Sequence, residues 1–438
     1  MNPPPMSVPP SNLISTARHP TYPTSLPSFR AAPAPRSPGS APVPAENAPL
    51  IAFCHLGWDG VWQRPQQFLS RLAATHPVLF VECHCSPVAH STLRGYTPAG
   101  HPNVTVLQML LPAARWSDGA FIDAERRRLL ETFRRGDLGR FDHPILWFND
   151  PMAVTAFAGH CGERAIVYDC MDELAQFRGA PPQLAVRELE LIRRADVVFC
   201  GGRRMREKRL PHNRNTHFYG TGVDLAHFGT ARSSELPVDP QIAALPGKVL
   251  GYFGVIDERI DYLLLAQLAA ALPECSIAMV GPHAKVDPAD FPRAKNLHWI
   301  GRRDYADLPA ITKGWAVCLM PFALNEATEY INPTKALEYM ATGRPVVSTA
   351  INEVKSNFAG VSRVASSHAE FIRQCREECR RPSRLRIRRG LALCAQNTWD
   401  AIAARMDEHL IAAVHAREQN VETVVAQASA VGERRHHV

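Results

Sequence analysis

The feature that most constrains this chain is an alternation of short apolar runs with helix-period stretches that breaks once and then starts again. Leu50–Cys54, Val78–Val81, Val104–Met109, Ile145–Phe148, Ala165–Tyr168, Val197–Cys200 and His217–Tyr219 read as strands, with Pro65–Ala74, Asp123–Phe133 and Leu184–Arg194 as helices among them. Uninterrupted apolar strands are buried on both faces, which a parallel sheet covered by crossover helices provides. After a polar, Pro-rich stretch over 229–247, strands are expected at Val249–Phe253, Ser276–Val280, Leu297–Ile300, Val317–Pro321, Pro345–Ser348 and Ser362–Val364. Helices are expected at Ile260–Leu272, Pro333–Thr342 and Ser367–Cys379. The pattern predicts an α/β chain of two doubly wound, Rossmann-like domains, over 48–228 and 248–395, facing across a cleft and joined by the linker 229–247. A helix over 396–418 is expected to pack back on the first domain, ahead of a flexible tail over 419–438. Residues 1–47, rich in Pro, Ser and Ala, are expected to form a disordered tail.

Composition removes several function classes. Hydrophobic residues make up 46% and charged residues 21% of the 438, enough for sizeable cores. No apolar run reaches the ~18–20 residues of a membrane-spanning helix, and the N-terminus lacks a secretory pattern, so a cytoplasmic protein is expected. The 11 cysteines are odd in number, scattered and without a C-x-x-C pair. Cys83-His84-Cys85 alternates across an extended segment, which argues against a zinc site. A formal charge of +7 is too mild for a dedicated nucleic-acid binder. The basic residues nevertheless cluster, at Arg203–Arg209 and Arg380–Arg389. Each cluster reads either as a solvated face or as a contact with an anionic membrane or phosphorylated ligand.

Chemistry concentrates in the segment from Asn332 to Thr349. A helix beginning at Pro333, with Asn332 as N-cap and Thr334 in its first turn, would present free N–H groups to a diphosphate. Lys335 adds a positive charge, and Glu338 lies one turn on, where a carboxylate can accept both vicinal hydroxyls of a ribose. Gly343 ends the helix before Pro345-Val346-Val347-Ser348 returns as a strand.

This segment resembles the nucleotide-sugar half of glycosyltransferases of the GT-B architecture, and retaining glycosyltransferase family four above all. Glu338 and Gly343-Arg344-Pro345-Val346-Val347 match the second half of that signature. The first glutamate of the family falls on Tyr330; Glu329 misses it by one residue and Glu326 by four. Further segments follow in the family's order: Gly220-Thr221-Gly222-Val223-Asp224, Gly251-Tyr252-Phe253-Gly254 with Arg259, Val280-Gly281-Pro282, and Asn296 to Arg302. The resemblance implies that Gly254, Gly281, Arg259 and Arg302 border the diphosphate and base.

In the first domain, Trp58-Asp59-Gly60-Val61-Trp62-Gln63-Arg64-Pro65-Gln66 follows Gly57, and Asp169-Cys170-Met171-Asp172-Glu173 follows a later strand. The Trp-Gln-Arg-Pro-Gln run is similar to glycosyltransferases of bacterial cell-surface polysaccharide pathways, including the teichuronic acid type. Trp58 or Trp62 is expected to stack on a sugar face; the alternative is that Trp62 packs in the core and Asp59 caps the helix. Asp59, Arg64, Asp172 and Glu173 are candidates for hydroxyls or phosphate. His55 and Asp59 are rival general bases if the anomer inverts; if it is retained, no protein base is required. Arg259 and Lys335 would then stabilise the departing diphosphate. The partners implied are a nucleotide-diphosphate sugar and a glycan or lipid-linked acceptor, with peripheral contact to an anionic membrane and no nucleic acid. No Asp-x-Asp motif occurs, so neither metal nor other cofactor is expected. A nucleotide-sugar epimerase of this architecture and a non-catalytic nucleotide-sugar binder are the alternatives. Hydride transfer is disfavoured, because no G-x-G-x-x-G follows any strand.

Overall fold

A computed structural model describes residues 43–60, 62–177, 179–325, 328, 331 and 333–435. The first sheet comprises β1 (Leu50–Cys54), β2 (Val78–Ser86), β3 (Thr92–Tyr96), β4 (Val104–Pro112), β5 (Ile145–Phe148), β6 (Ala165–Cys170), β7 (Val197–Cys200) and β8 (Thr216–Phe218). Their spatial order is β3-β4-β2-β1-β5-β6-β7-β8, parallel except for β3, which runs antiparallel to β4. The second sheet comprises β9 (Lys248–Phe253), β10 (Cys275–Val280), β11 (Leu297–Gly301), β12 (Trp315–Met320), β13 (Val346–Thr349) and β14 (Arg363–Ala365), all parallel in the order β11-β10-β9-β12-β13-β14. In each sheet the winding reverses beside the first strand, between β1 and β5 and between β9 and β12. A crevice for ligand opens outside the carboxyl ends of the strands at such a point.

Alternation of side chains along β1 builds two cores. Leu50, Ala52 and Cys54 face one cluster with Phe80, Trp147 and Phe199; Ile51 and Phe53 face another with Leu79, Phe148 and Phe157. The first cluster is closed by the last helix, Trp399–Arg435, which supplies Trp399, Met406 and Leu410. Polar contacts seat that helix on the first domain: His76 Nε2 lies 2.8 Å from Asp407, and Arg164 and Glu418 pair at 2.6 Å.

The structure departs from the sequence expectations at the first tail, at the end of the last helix and at β3. Ala45–Asn47 forms a single turn with Ala45 buried, and Val43 O accepts from Arg164 at 2.6 Å, so packed chain begins inside the stretch expected to be a tail. Alanine is small enough to fit against the last helix there. Within the linker, Pro240–Ala243 is a helical turn, and Ile242 is buried so close to Gly314 that a Cβ on Gly314 would meet it at 2.6 Å. The last helix runs to Arg435 rather than stopping near Glu418, since nothing after Glu418 interrupts it: no proline occurs and helix formers abound. Strand β3 was not foreseen, because Thr-Leu-Arg-Gly-Tyr lacks an apolar run and owes its strand to the edge of β4.

The polypeptide crosses between the domains twice, side by side. Val223 N donates to Asn397 O at 3.0 Å, and a Cβ on Gly222 would come within 2.6 Å of the Trp399 ring. A separate bridge joins the domains through Glu353, on the helix Asn352–Phe358. Its carboxylate accepts the backbone N–H groups of Arg203 and Arg204, and Asn357 accepts from Arg203 Nε at 2.8 Å. A Cβ on Gly202 would lie 2.9 Å from Glu353 Oε1, so a larger residue there must shift that side chain. Glu353→Ala strands two backbone donors, so a loss of about 1–3 kcal/mol in unfolding free energy is expected, with a larger radius of gyration in solution scattering. Unchanged values for both would remove this bridge as a determinant of the domain arrangement.

Candidate functional site

On the second domain the carboxyl ends of β9 and β10 approach each other through two glycines. Gly254 has φ +141° and Gly281 φ +145°, and a Cβ on Gly281 would collide with Gly254 O at 1.9 Å. Only glycine combines that conformation with that proximity. The helix Lys335–Ala341 points its first turn at this junction. It begins two residues later than expected: Pro333 supplies no N–H, and the first turn closes with Ala336 N donating to Pro333 O at 3.1 Å. Asn332, Glu326, Glu329 and Tyr330 lie outside the described residues. Pro333 is buried and Thr334 half-buried at the helix entrance. The helix is anchored by Tyr339, whose hydroxyl accepts from Phe253 N at 2.9 Å, and ends at Gly343 with φ +74°.

Lys335 lies along Gly254, where a Cβ would meet its Cε at 2.1 Å, and its ammonium sits 5.8 Å from the centre of the Tyr252 ring. Burial pulls its pKa down, while Glu338 holds it up. Burial pushes Glu338 the other way, up to about 7, against the pull of Lys335. The two form an opposed pair, set deep and still half-open to solvent. Arg259 is held in place by Asp257, a residue absent from the sequence-level candidates: its Nη2 lies 2.6 Å and its Nε 3.0 Å from that carboxylate. The only signal for Asp257 was its position two residues before Arg259 in the loop after β9. Beside the glycine junction lies a cavity of about 310 Å³ walled by Ile256, Gly281, His283, Phe291, Trp299 and Gly301. Phe291 and Trp299 stack there at 4.3 Å. Arg302 follows β11 and is exposed.

Across the cleft, Asp172 is half-buried beyond the end of β6. Burial raises its pKa to about 6, against the attraction of Arg259 from the other domain and of Arg64. His55, after β1, places Nδ1 3.2 Å from Asn149 O at the point where the first sheet's winding reverses. Its ring presents surface to solvent, yet the surrounding protein lowers its pKa, opposed by Asp150.

Five first-domain candidates are occupied elsewhere. Trp58 is 2% exposed, edge-on to Phe80 at 5.2 Å, and its N–H donates to Glu82 at 2.7 Å; it is core and offers no face to a sugar. Arg64 is interior, paired with Asp169 at 2.7 Å and donating to Tyr219 O at 2.6 Å, so it ties the first helix, Arg64–Leu72, to β6 and to the domain crossing. Glu173 is consumed by Arg209, which also pairs with Glu188 at 2.7 Å. Asp59 is exposed, accepts from Tyr96 at 2.6 Å and is thereby drawn toward the β3 edge. Gly57 O accepts from Gln66 at 2.8 Å, a loop-fixing role. Trp62 remains partly open, 38% exposed and 5.4 Å from His101. No group of three or more metal-ligating side chains occurs among the described residues.

Residues 247–377 match the family described as Glycosyl transferases group 1. Over 202 residues the chain is 27% identical to the Bacillus subtilis (strain 168) protein named as teichuronic acid biosynthesis glycosyltransferase TuaH, a match covering 42% of this chain and half the length of that curated relative. Sucrose-phosphate synthase from Thermosynechococcus elongatus superposes with a TM-score of 0.61 at 15% identity, over 83% of this chain and 98% of that one. Anabaena HepE in complex with UDP and glucose gives 0.59 at 14%, over 83% and 99%. At these identities the superpositions speak to fold: two Rossmann-like domains in the GT-B arrangement. Residues 247–377 thus resemble a group 1 glycosyl transferase domain, carried in a chain of GT-B architecture.

Proposed function

We propose that this chain is a glycosyltransferase that moves a hexose from a nucleotide-diphosphate sugar to a cell-surface polysaccharide or lipid-linked acceptor, with retention at the anomeric carbon and without a metal ion. The observation that carries the reading is the opposed pair Lys335 and Glu338 on one helix, aimed at the Gly254–Gly281 junction and faced by Arg259. The glycine junction lets a diphosphate approach backbone. Glu338 accepts the ribose hydroxyls, and the aromatic-walled cavity beyond Gly281 has room for a base. Lys335 and Arg259 are placed to neutralise charge as the glycosyl–oxygen bond breaks. Similar structures support the donor class, since one holds UDP and glucose and another UDP-2-fluoro glucose. On the acceptor side, Asp172 and His55 are the groups left open to the cleft, and with retention the departing phosphate itself takes the acceptor proton.

The test is a thermal-shift screen against nucleotide-sugars and against free nucleotides. A ligand at 100 times its dissociation constant stabilises by about 2.7 kcal/mol, so one donor is expected to raise the melting temperature by several degrees. A flat response across the panel would remove the assignment. With that donor, chelation by EDTA is expected to leave turnover within about twofold, since Lys335 and Arg259 supply the positive charge at the diphosphate. Loss of turnover, restored by a divalent cation, would refute the metal-independent scheme.

A further inference from the structure

The fold treats the two arginine-rich runs differently. The first, Arg203–Arg209, is largely spent on the protein itself. Arg209 is interior between Glu173 and Glu188, Arg203 reaches Asn357, and Arg206 donates to Thr216 O at 3.0 Å. The second holds six arginines between Arg380 and Arg389, and no acidic residue occurs between Glu378 and Asp400. Arg380, Arg381, Arg384, Arg388 and Arg389 are exposed, and among the described residues none of them pairs with a carboxylate. The nearest acids are committed elsewhere: Arg363 takes Glu378 at 2.8 Å and Glu377 at 3.4 Å.

Arg384, Arg388 and Arg389 lie on the helix Arg384–Gln396, whose two faces have different tasks. Its inner face packs on the helix that carries Lys335 and Glu338. Cys394 Sγ lies 3.3 Å from Leu337 O, and a Cβ on Gly390 would come to 3.1 Å from Met340. Its outer face places Arg384 over Arg388 and Leu385 over Arg389, one turn apart. Leu385 stands among these charges 48% exposed. Unpaired like charges so close repel one another, and an apolar side chain at their centre gains nothing from water. Both penalties are relieved by one kind of surface, anionic above and apolar beneath.

We propose that this arginine face docks on the anionic headgroups of a lipid bilayer, with Leu385 entering the interface. A polyanion such as RNA would satisfy the arginines and leave Leu385 in water, so the bilayer accounts for the whole patch. The proposal does not depend on the reaction assigned above. If both hold, docking sets the Lys335–Glu338 helix directly behind the membrane-facing surface.

The test is co-sedimentation of the full chain with vesicles of phosphatidylcholine alone and of phosphatidylcholine with about one-third phosphatidylglycerol. Binding is expected to the anionic vesicles only, and to fall at least about tenfold when salt shortens the Debye length from about 10 Å to about 3 Å. The variant R384E/R388E/R389E is expected to bind at least about tenfold more weakly. A control with the same net charge, R193E/R214E/K295E, alters exposed basic residues off the patch and is expected to bind like the parent to within about twofold. Leu385→Asp gives an independent reading from one exposed position and is also expected to lose binding. The proposal is overturned by equal binding to neutral vesicles, by an equal loss in the control triple, or by tighter binding of single-stranded RNA than of vesicles at the same salt. Full binding by Leu385→Asp would overturn it too.

Discussion

Glu338→Ala is expected to weaken binding of the donor selected in the thermal screen by roughly 10- to 150-fold, the equivalent of about 1.5–3 kcal/mol for hydrogen bonds to a charged group. The carboxylate is set deep at the start of its helix with Lys335 as counter-charge, and its truncation leaves ribose hydroxyls facing a void that water fills poorly. Isothermal calorimetry on parent and variant reads this directly. Affinities within about twofold of each other would mean that the ribose lies elsewhere, since even one net hydrogen bond is worth more than that.

The same side chain imposes a pH signature. Glu338 titrates at about 7 when folded and near 4.5 when unfolded, so the folded state holds its proton more tightly. Its contribution to stability is complete below about pH 4.5 and is lost as pH rises through about 7. Donor binding runs the other way, because two hydroxyl donors need the ionised carboxylate. Affinity is expected to be about tenfold weaker at about pH 6 than at about pH 8. In Glu338→Ala that dependence should vanish. Asp172, titrating at about 6 on the opposite wall, bears on the acceptor side and leaves a separate, lower inflection in turnover.

How far this site was legible in the sequence depended on the range of the interactions involved. Glu338 and Lys335 share one helix that Gly343 terminates, so their spacing fixed their relation before any tertiary contact was known. Gly254 and Gly281 carried a strand-end signature, although what requires glycine at each is tertiary: Gly281 meets Gly254 O from the neighbouring strand, and Gly254 meets Lys335 from the helix. Arg64 and Glu173 show the opposite case. Each looked like a free charge at a strand end, yet their partners, Asp169 and Arg209, lie 105 and 36 residues away. Trp58 misled for a related reason: beside Asp59 and Gly60 it reads as loop, and only Phe80 from β2 and His101 from the loop before β4 make it core. Asp257 carried no signal beyond its place two residues before Arg259, and its role in holding that guanidinium is visible only in the folded loop.

Lys335→Met separates catalysis from binding. Its ammonium is wedged beside Gly254 and over Tyr252, with little freedom to follow a ground-state ligand. A fixed cation of this kind acts most strongly on charge that grows during the reaction, here on the oxygen bridging sugar and diphosphate. Removal is therefore expected to lower kcat by about 10²- to 10³-fold while KM changes much less. Lys335→Arg is not expected to rescue, because a guanidinium is broader than the slot in which a Cβ on Gly254 would already touch Cε at 2.1 Å. The loss of Lys335 also leaves Glu338 without its opposing charge, so the inflection in donor affinity should move above about 7. Steady-state kinetics with the selected donor, repeated across pH, measure both effects on one preparation. An unchanged kcat with a raised KM would make Lys335 a ground-state anchor. An unmoved inflection would show that Glu338 and Lys335 do not sense each other, and the opposed pair on which the donor site is built would fall.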